Sequence, residues 1–486
     1  MDPSQIYSSL RLSAHQFRLV HLLPGQESSE IQCTLKSDYL LSHTVERYTA
    51  LSYEWGDSKA SKLEIKLEGQ SFLITQNLWS ALKCLRGTET MQTFWIDAIC
   101  INQDDKNERN HQVELMSLIY STASRVLVWL GQECAEIQAA FSFFQNIWDT
   151  KLRNFAEKGI LYIDHNTNMY QSIILTQGQA QYFRFRWSDE SLVEENSEIQ
   201  TALYWSRFQI ILENLAFFGQ KDPSLKIAWK GLASLTSRSY WTRIWIVQEY
   251  LLAQKVDFYC GRITIDGTII DTIISHLAAL KDEKLTDLPS WLTEPLQRIR
   301  ASPATRICTS RLQQKSKRPT LLELLVACKD SKSSEPRDRL YALLGLASDV
   351  QEDSIVIDYN RPIFKIQMDV LWFFCCKQDF RPADTSRICT LLEETLGYGR
   401  DNFEMDRSYI SSKRTTDTIT LPNFGAAKIS QTYRFVECLE PSISYYAKKL
   451  SSFETIMAMA SWTTAEDSES TELALKIYDE NSVNQR

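Results

Sequence analysis

Three stretches of this chain place polar side chains where apolar ones are expected, and any chemistry would reside there. Asp97 interrupts the otherwise apolar run Phe94–Ile101. An unpaired charge in such a run is costly, so Asp97 needs a partner: it either organises a pocket or locks its strand to an arginine. Asn102 and Gln103 follow just past the end of that run, where they would contact a ligand or hydrogen-bond within a loop. Ser52 and the pair Trp55-Gly56 close an earlier strand, and Trp55 would either stack on a nucleotide base or pack into the core. Arg243, Gln248 and Glu249 share a largely apolar helix with Trp245. Arg243 and Gln248 read as binding groups or as buried struts. Glu249 reads as a reacting carboxylate or as the ion-pair partner of Arg243 or Arg109. Asp105-x-x-Glu108 has the form of a capping box, which gives Glu108 a role at a helix start, with Arg109 and Gln112 on the turns behind it.

These residues need a scaffold, and the hydrophobic rhythm predicts one. Phe17–Leu23 and Ile31–Leu35 flank a Pro24-Gly25 turn and form a hairpin. Tyr48–Tyr53 is a strand. Leu63–Leu67 alternates apolar and polar and turns through Glu68-Gly69-Gln70 into Phe72–Ile74, a second hairpin. Thr75 caps a helix whose stripe is Leu78, Ala81, Leu82 and Leu85. Phe94–Ile101 is a strand covered on both faces. With the helix Glu108–Ser124 and the strand Arg125–Leu130 it makes a βαβ unit, whose sheet is parallel with a right-handed crossover.

Residues 132–235 carry amphipathic pieces at Ala139–Trp148 and Thr201–Phe218 and read as a mostly helical insertion. Ser239 caps a helix through Trp241, Trp245, Gln248 and Leu252, and Val256–Gly261 is a strand. The rest is mainly helical, at Ile269–Leu280, Thr320–Lys329, Arg337–Ala347 and Pro362–Cys376, with a frayed polar end at 462–472 and 480–486. The domain reading is therefore a lead-in with short strands at 1–45, an α/β domain at 46–265 with its insertion at about 132–235, and a mainly helical region at 266–486.

Composition narrows the function classes. With 44% hydrophobic and 23% charged residues in 486, the chain is a globular protein of two or three packed units. A net charge of −8 with mixed signs argues against a dedicated nucleic-acid surface, which needs a concentrated basic stripe. The longest apolar stretch, Val370–Cys376, is too short to span a bilayer, and Met1–Ser4 does not begin a signal peptide. Eleven scattered cysteines without a C-x-x-C pair read as reduced thiols, which fits a cytosolic or nuclear compartment, and the cytoplasm is the expected location. None of the six histidines has metal-ligand spacing, so no metal or resident cofactor is expected. The phosphate-loop, dinucleotide-binding, zincin and G-x-S-x-G motifs are missing as well.

Three blocks carry a resemblance. They are Tyr48–Gly56 (YTALSYEWG); Trp95–Gln103 (WIDAICINQ), continuing through Glu108-Arg109, Gln112-Val113, Met116 and Ile119-Tyr120 to Val128–Gly131; and Tyr240-Trp241-x-Arg243-x-Trp245-x-x-Gln248-Glu249. In order and spacing they resemble the fungal heterokaryon-incompatibility (HET) domain, over roughly 45–265 and more weakly over 266–365. Arg337–Leu346 resembles the segment that follows the domain in such proteins.

That family is a distant relative of the Toll/interleukin-1 receptor (TIR) domain, so the resemblance implies an α/β fold with a TIR/flavodoxin-like parallel sheet. In TIR enzymes that cleave NAD the catalytic glutamate lies on a helix as Trp-x-x-x-Glu, and Trp245-x-x-x-Glu249 matches that form. The implied role of Glu249 is to stabilise an oxocarbenium-like charge, with Trp245 excluding water. Ser52, Trp55, Gly56, Asp97, Asn102, Gln103, Arg243, Trp245 and Gln248 are then expected at the substrate, and Glu108, Arg109 and Gln112 in support. Two functions follow as expectations. One is an NAD glycohydrolase that triggers cell death on self-association. The other is a non-catalytic signalling module that meets an unknown protein partner or incompatibility factor.

Overall fold

The computed structural model describes residues 4–13, 15–40, 46–56, 61–149, 163–164, 169–176, 179–185, 223–280, 282, 288–313, 318–351, 354–375, 377 and 385–397. The expected helical piece Thr201–Phe218 and the polar end at 462–472 and 480–486 lie outside them. The chain divides into two compact units, one within residues 1–102 and 118–317, the other within 103–117 and 318–486.

A nine-stranded mixed sheet organises the first unit. After the short helix α1 (Ser4–Ser8) its strands are, in chain order, β1 (Gln16–Leu22), β2 (Gln32–Tyr39), β3 (Thr49–Tyr53), β4 (Lys62–Leu67), β5 (Gln70–Thr75), β6 (Gln92–Trp95), β7 (Arg125–Trp129), β11 (Val256–Cys260) and β12 (Ile263–Asp266); β8 (Ile163–Asp164), β9 (Met169–Thr176) and β10 (Gln179–Phe185) form a separate sheet. Their spatial order is β12-β11-β7-β3-β6-β1-β2-β4-β5. The four central strands are parallel: β11 pairs with β7, β7 with β3, and β3 with β6. Numbered among themselves along the chain, β3, β6, β7 and β11 lie in the order 2-1-3-4. The sheet is not parallel throughout, because β1 runs antiparallel to β6 and β2, and β12 antiparallel to β11. Both expected hairpins are present, and the strands of the 1–45 segment belong to this sheet.

The central strands are apolar and covered: Ala50, Leu51, Ser52 and Tyr53 are all buried. Thr75 caps α2 (Gln76–Leu85) by accepting from the Leu78 amide, and Leu78, Ala81, Leu82 and Leu85 are its buried stripe, as the periodicity predicts. After β6 come α3 (Asp97–Cys100) and α4 (Lys106–Thr122). Tyr48 ties the last turns of α4 to the sheet by donating to the Ile119 carbonyl at 2.6 Å.

The described part of the insertion adds a small sheet to the expected helices. Its ends are helical, α5 (Ala135–Ile147) and α6 (Pro223–Thr236), but between them lies a three-stranded antiparallel sheet of β8 (Ile163–Asp164), β9 (Met169–Thr176) and β10 (Gln179–Phe185). β9 and β10 are rich in Ile, Phe and Tyr and surround Gln177-Gly178, a hairpin pattern that outweighs weak helical periodicity. At the base of the insertion α5 and α6 approach so closely that a Cβ on Gly231 would stand 2.0 Å from the Glu136 carbonyl oxygen.

Two departures from expectation matter for the site. Phe94–Ile101 is not one strand: β6 ends at Trp95, and Asp97 opens the helical turn α3. Ser239 does not cap a long helix either. Ser239–Thr242 is a 3-10 turn, and α7 covers only Trp245–Leu251. After β12 the first unit continues with α8 (Gly267–Ala279), α9 (Ser290–Ala301) and α10 (Pro303–Gln313).

The described residues of the second unit form the helices α11 (Leu321–Cys328), α12 (Asp338–Leu344), α13 (Ile363–Cys375) and α14 (Thr385–Leu396). A complete capping box starts α11: Thr320 accepts from the Glu323 amide and Glu323 accepts from the Thr320 amide. No helix among the described residues is long and apolar enough to cross a membrane.

Candidate functional site

Because β3, β6, β7 and β11 are parallel, their carboxyl ends share one edge of the sheet, the edge at which α/β folds gather ligands. β3 delivers Ser52 and Tyr53 to that edge, then Trp55. Gly56 follows at a φ of +80°, a left-handed conformation that strains any residue with a Cβ. Successive strand residues face opposite sides of the sheet, so Ser52 and Tyr53 extend the site to both.

β6 ends beside β3, and the α3 turn carries Asp97. Its carboxylate accepts from the Trp55 indole N–H at 2.8 Å, from the Ala98 amide at 2.7 Å and from the Tyr53 phenol. The turn itself is held from behind. Tyr7 donates to the Ile99 carbonyl at 2.9 Å, and Arg18 donates to the Cys100 carbonyl at 3.1 Å. Arg18 is fully buried, bonds the Leu10 carbonyl and lies over the Tyr7 ring at 4.8 Å. A guanidinium so placed satisfies carbonyls that the turn would otherwise leave unpaired.

The third contribution comes from the segment before β11. Tyr240, on the 3-10 turn, meets the Ser52 hydroxyl at 2.7 Å. Ser52 in turn donates to Oε2 of Glu249, on the last turns of α7. Arg243 donates to the Tyr53 carbonyl at the end of β3. Glu249 and Gln248 are both 2% exposed, and Gln248 Oε1 has no hydrogen-bond partner among the described residues. Trp55, by contrast, is 37% exposed, so its ring meets solvent while its N–H is fixed by Asp97.

Charge is unevenly compensated here. Burial pushes the Glu249 carboxyl up to about 7, and the nearby Asp97 charge adds to that rise; Arg243 and the Ser52 hydrogen bond oppose it. Burial also raises Asp97, with Arg243 and Trp55 opposing. For Arg243, desolvation works to lower its value, but Glu249 and Asp97 outweigh it and hold the guanidinium charged. One arginine thus serves two carboxylates. Tyr240 and Tyr53 are raised by burial and stay neutral.

Of the residues singled out from the sequence, Ser52, Trp55, Asp97, Arg243 and Glu249 come together through these contacts. Gln248 and Trp245 share their helix, Trp245 half-buried at its first turn. Asn102 closes the loop after α3. Gln103, Glu108, Arg109 and Gln112 belong to the second unit. There Asp105 accepts from the Asn107 and Glu108 amides at 2.9 and 3.2 Å, and the Arg109 guanidinium stacks 3.7 Å above the Tyr359 ring. Within the first unit the cation that acts on Glu249 is Arg243. Two participants escaped the sequence reading, Tyr53 and Tyr240. Both are tyrosines inside the apolar blocks already quoted, and nothing in their spacing separates a hydrogen-bonding phenol from a packed ring.

Among the described residues no cluster of His, Cys, Asp or Glu could hold a metal ion. Comparison with known proteins bears on this arrangement directly. The model of the family described as "Heterokaryon incompatibility protein (HET)" matches residues 48–249, from the residue before β3 to the carboxylate bonded by Ser52. "Heterokaryon incompatibility protein 6, OR allele" of Neurospora crassa is similar over 337 residues at 27% identity, covering 64% of this chain and 45% of the relative. This chain thus spans under half the length of that relative. No solved structure matches the chain. At residues 48–249, then, the chain is similar to the HET family.

Proposed function

We propose that this chain acts in heterokaryon incompatibility, as the name of its Neurospora relative states for that protein, and that it works in cell death and self/non-self recognition by TIR-like NAD cleavage at Glu249. Support for the TIR/flavodoxin-like reading comes from the 2-1-3-4 order of the parallel strands, which places a switch of direction between β3 and β7. The observation that carries the reaction is the placement of Glu249 at the carboxyl edge beside Ser52, with Arg243 and Asp97 near and the exposed Trp55 ring at the rim.

In this reaction the bond between ribose C1′ and the nicotinamide nitrogen breaks, and its electron pair leaves on nicotinamide. Ionised Glu249 stabilises the positive charge developing on the ribose, and water then adds at C1′ and gives up a proton. The low polarity that raises Glu249 also strengthens that interaction once the group is ionised. Trp55 supplies a flat surface for a ring of the substrate. Self-association and an incompatibility partner belong to the same proposal, as does a cytoplasmic location.

Purified protein incubated with NAD is expected to release nicotinamide, measured chromatographically. Glu249→Gln should abolish release while the circular dichroism spectrum stays the same; release that persists in the variant removes Glu249 from the reaction. A second reading, a non-catalytic interaction module, draws on the closure of Glu249 by its neighbours at 2% exposure. It predicts cell killing that survives Glu249→Gln and is lost on surface substitution.

A further inference from the structure

α7 is only seven residues long and has no side-chain N-cap, so little within it fixes the direction of Glu249. Its next residue, Tyr250, is held at both ends. The Tyr250 phenol donates to Asp271 Oδ1 at 2.5 Å. The other Asp271 oxygen is 3.2 Å from Arg311 Nε, and Arg311 Nη1 returns to the Tyr250 main-chain carbonyl at 2.5 Å. The guanidinium lies 5.3 Å from the centre of the same ring. Phenol, carboxylate, guanidinium and carbonyl therefore close a cycle around one residue, with Asp271 on α8 and Arg311 on α10. Both are beyond the segment that matches the family model, which ends at Glu249.

A buried cycle of this kind contributes little to stability. Taking a carboxylate and a guanidinium out of water offsets most of their attraction, and apolar side chains of similar volume would fill the space at least as well. What the cycle adds is direction. Adjacent helix residues point about 100° apart, so fixing both the Tyr250 side chain and its carbonyl fixes the rotation of α7 that aims Glu249 at Ser52.

We infer that Asp271 and Arg311 are positioning residues for Glu249, acting through Tyr250, and that the working unit of this HET-like domain extends through α10. The inference rests on Glu249 as the group that acts, but its test does not need substrate. In the full chain, the pH at which Glu249 ionises can be read as the midpoint over which the stability gap between a protein and its own Glu249→Gln derivative opens. Tyr250→Phe and Asp271→Asn should each move that midpoint by about half a pH unit or more. They should also lower kcat for nicotinamide release about tenfold or more, with KM within about twofold. Arg311→Lys should stay closer to the parent than Arg311→Met, since it keeps the charge on Asp271. A midpoint and kcat that hold steady while stability falls would overturn the inference. A midpoint that moves in a protein releasing no nicotinamide supports it and counts against NAD cleavage instead.

Discussion

The Ser52 hydroxyl donates to the Glu249 carboxylate across 197 residues of sequence, joining the first parallel strand to the helix that precedes the last. On its other side Ser52 meets Tyr240 at 2.7 Å. A single small side chain thus connects both ends of the domain, and the protonation of Glu249 depends on it.

Glu249 should make stability fall as pH rises. Its folded value of about 7 lies above the ordinary 4.5, so the folded state holds the proton more tightly than the unfolded chain. The resulting stabilisation is complete below about 4.5 and is lost as pH climbs through about 7. At about 1.4 kcal/mol per pH unit, Glu249→Gln should gain roughly 3 kcal/mol on the parent between those limits. Urea unfolding of both proteins across that range measures it, and a constant difference would refute the assignment.

Two substitutions around Glu249 should act in opposite directions. Ser52→Ala removes a donor that favours the ionised form, so the midpoint should rise. Asp97→Asn removes a charge that opposes it, so the midpoint should fall toward the usual carboxylate range. Comparison of the two by the same unfolding series, each against its own Glu249→Gln derivative, tests whether Asp97 and Glu249 share one electrostatic site.

The helix pair at the base of the insertion should be intolerant of one methyl group. Gly231→Ala places a Cβ against the Glu136 main chain, which cannot swing aside as a side chain would. A cost of about 1–3 kcal/mol is expected, despite alanine's better helix propensity. Thermal or urea unfolding reads it directly, and a neutral or stabilising result would mean that the two helices separate freely.

In the second unit, Thr320→Ala should remove the side-chain acceptor of the α11 capping box and cost about 1 kcal/mol. Unchanged unfolding would show that the Glu323 half of the box suffices alone.

Much of the scaffold could be read from pattern. β4 alternates in the expected phase and turns into β5, Thr75 caps where its spacing demands, and the parallel trio β3, β6 and β7 follows from apolar runs separated by helix-length segments. Asp97 was legible as a residue needing partners but not as the start of α3. An apolar run of eight residues broken only by Asp97 fits a strand or a strand plus a buried turn equally well, and the deciding contacts come from Tyr7 and Arg18, about 80 to 90 residues earlier. The same holds for Tyr240, whose role depends on a strand end 188 residues away. Local pattern carries local structure, while the site is assembled from tertiary pairings that local pattern does not encode.

Gly231, where α5 and α6 touch, also governs how the chain can vary. The helices meet at the foot of the segment between Ile147 and Pro223, so its two ends are brought together by their own packing. Closing a longer flexible loop over a fixed base costs only about 0.6 kcal/mol for each doubling of its length. Any change in the length of what lies between those helices therefore meets a base whose separation is already set where Gly231 faces the Glu136 main chain.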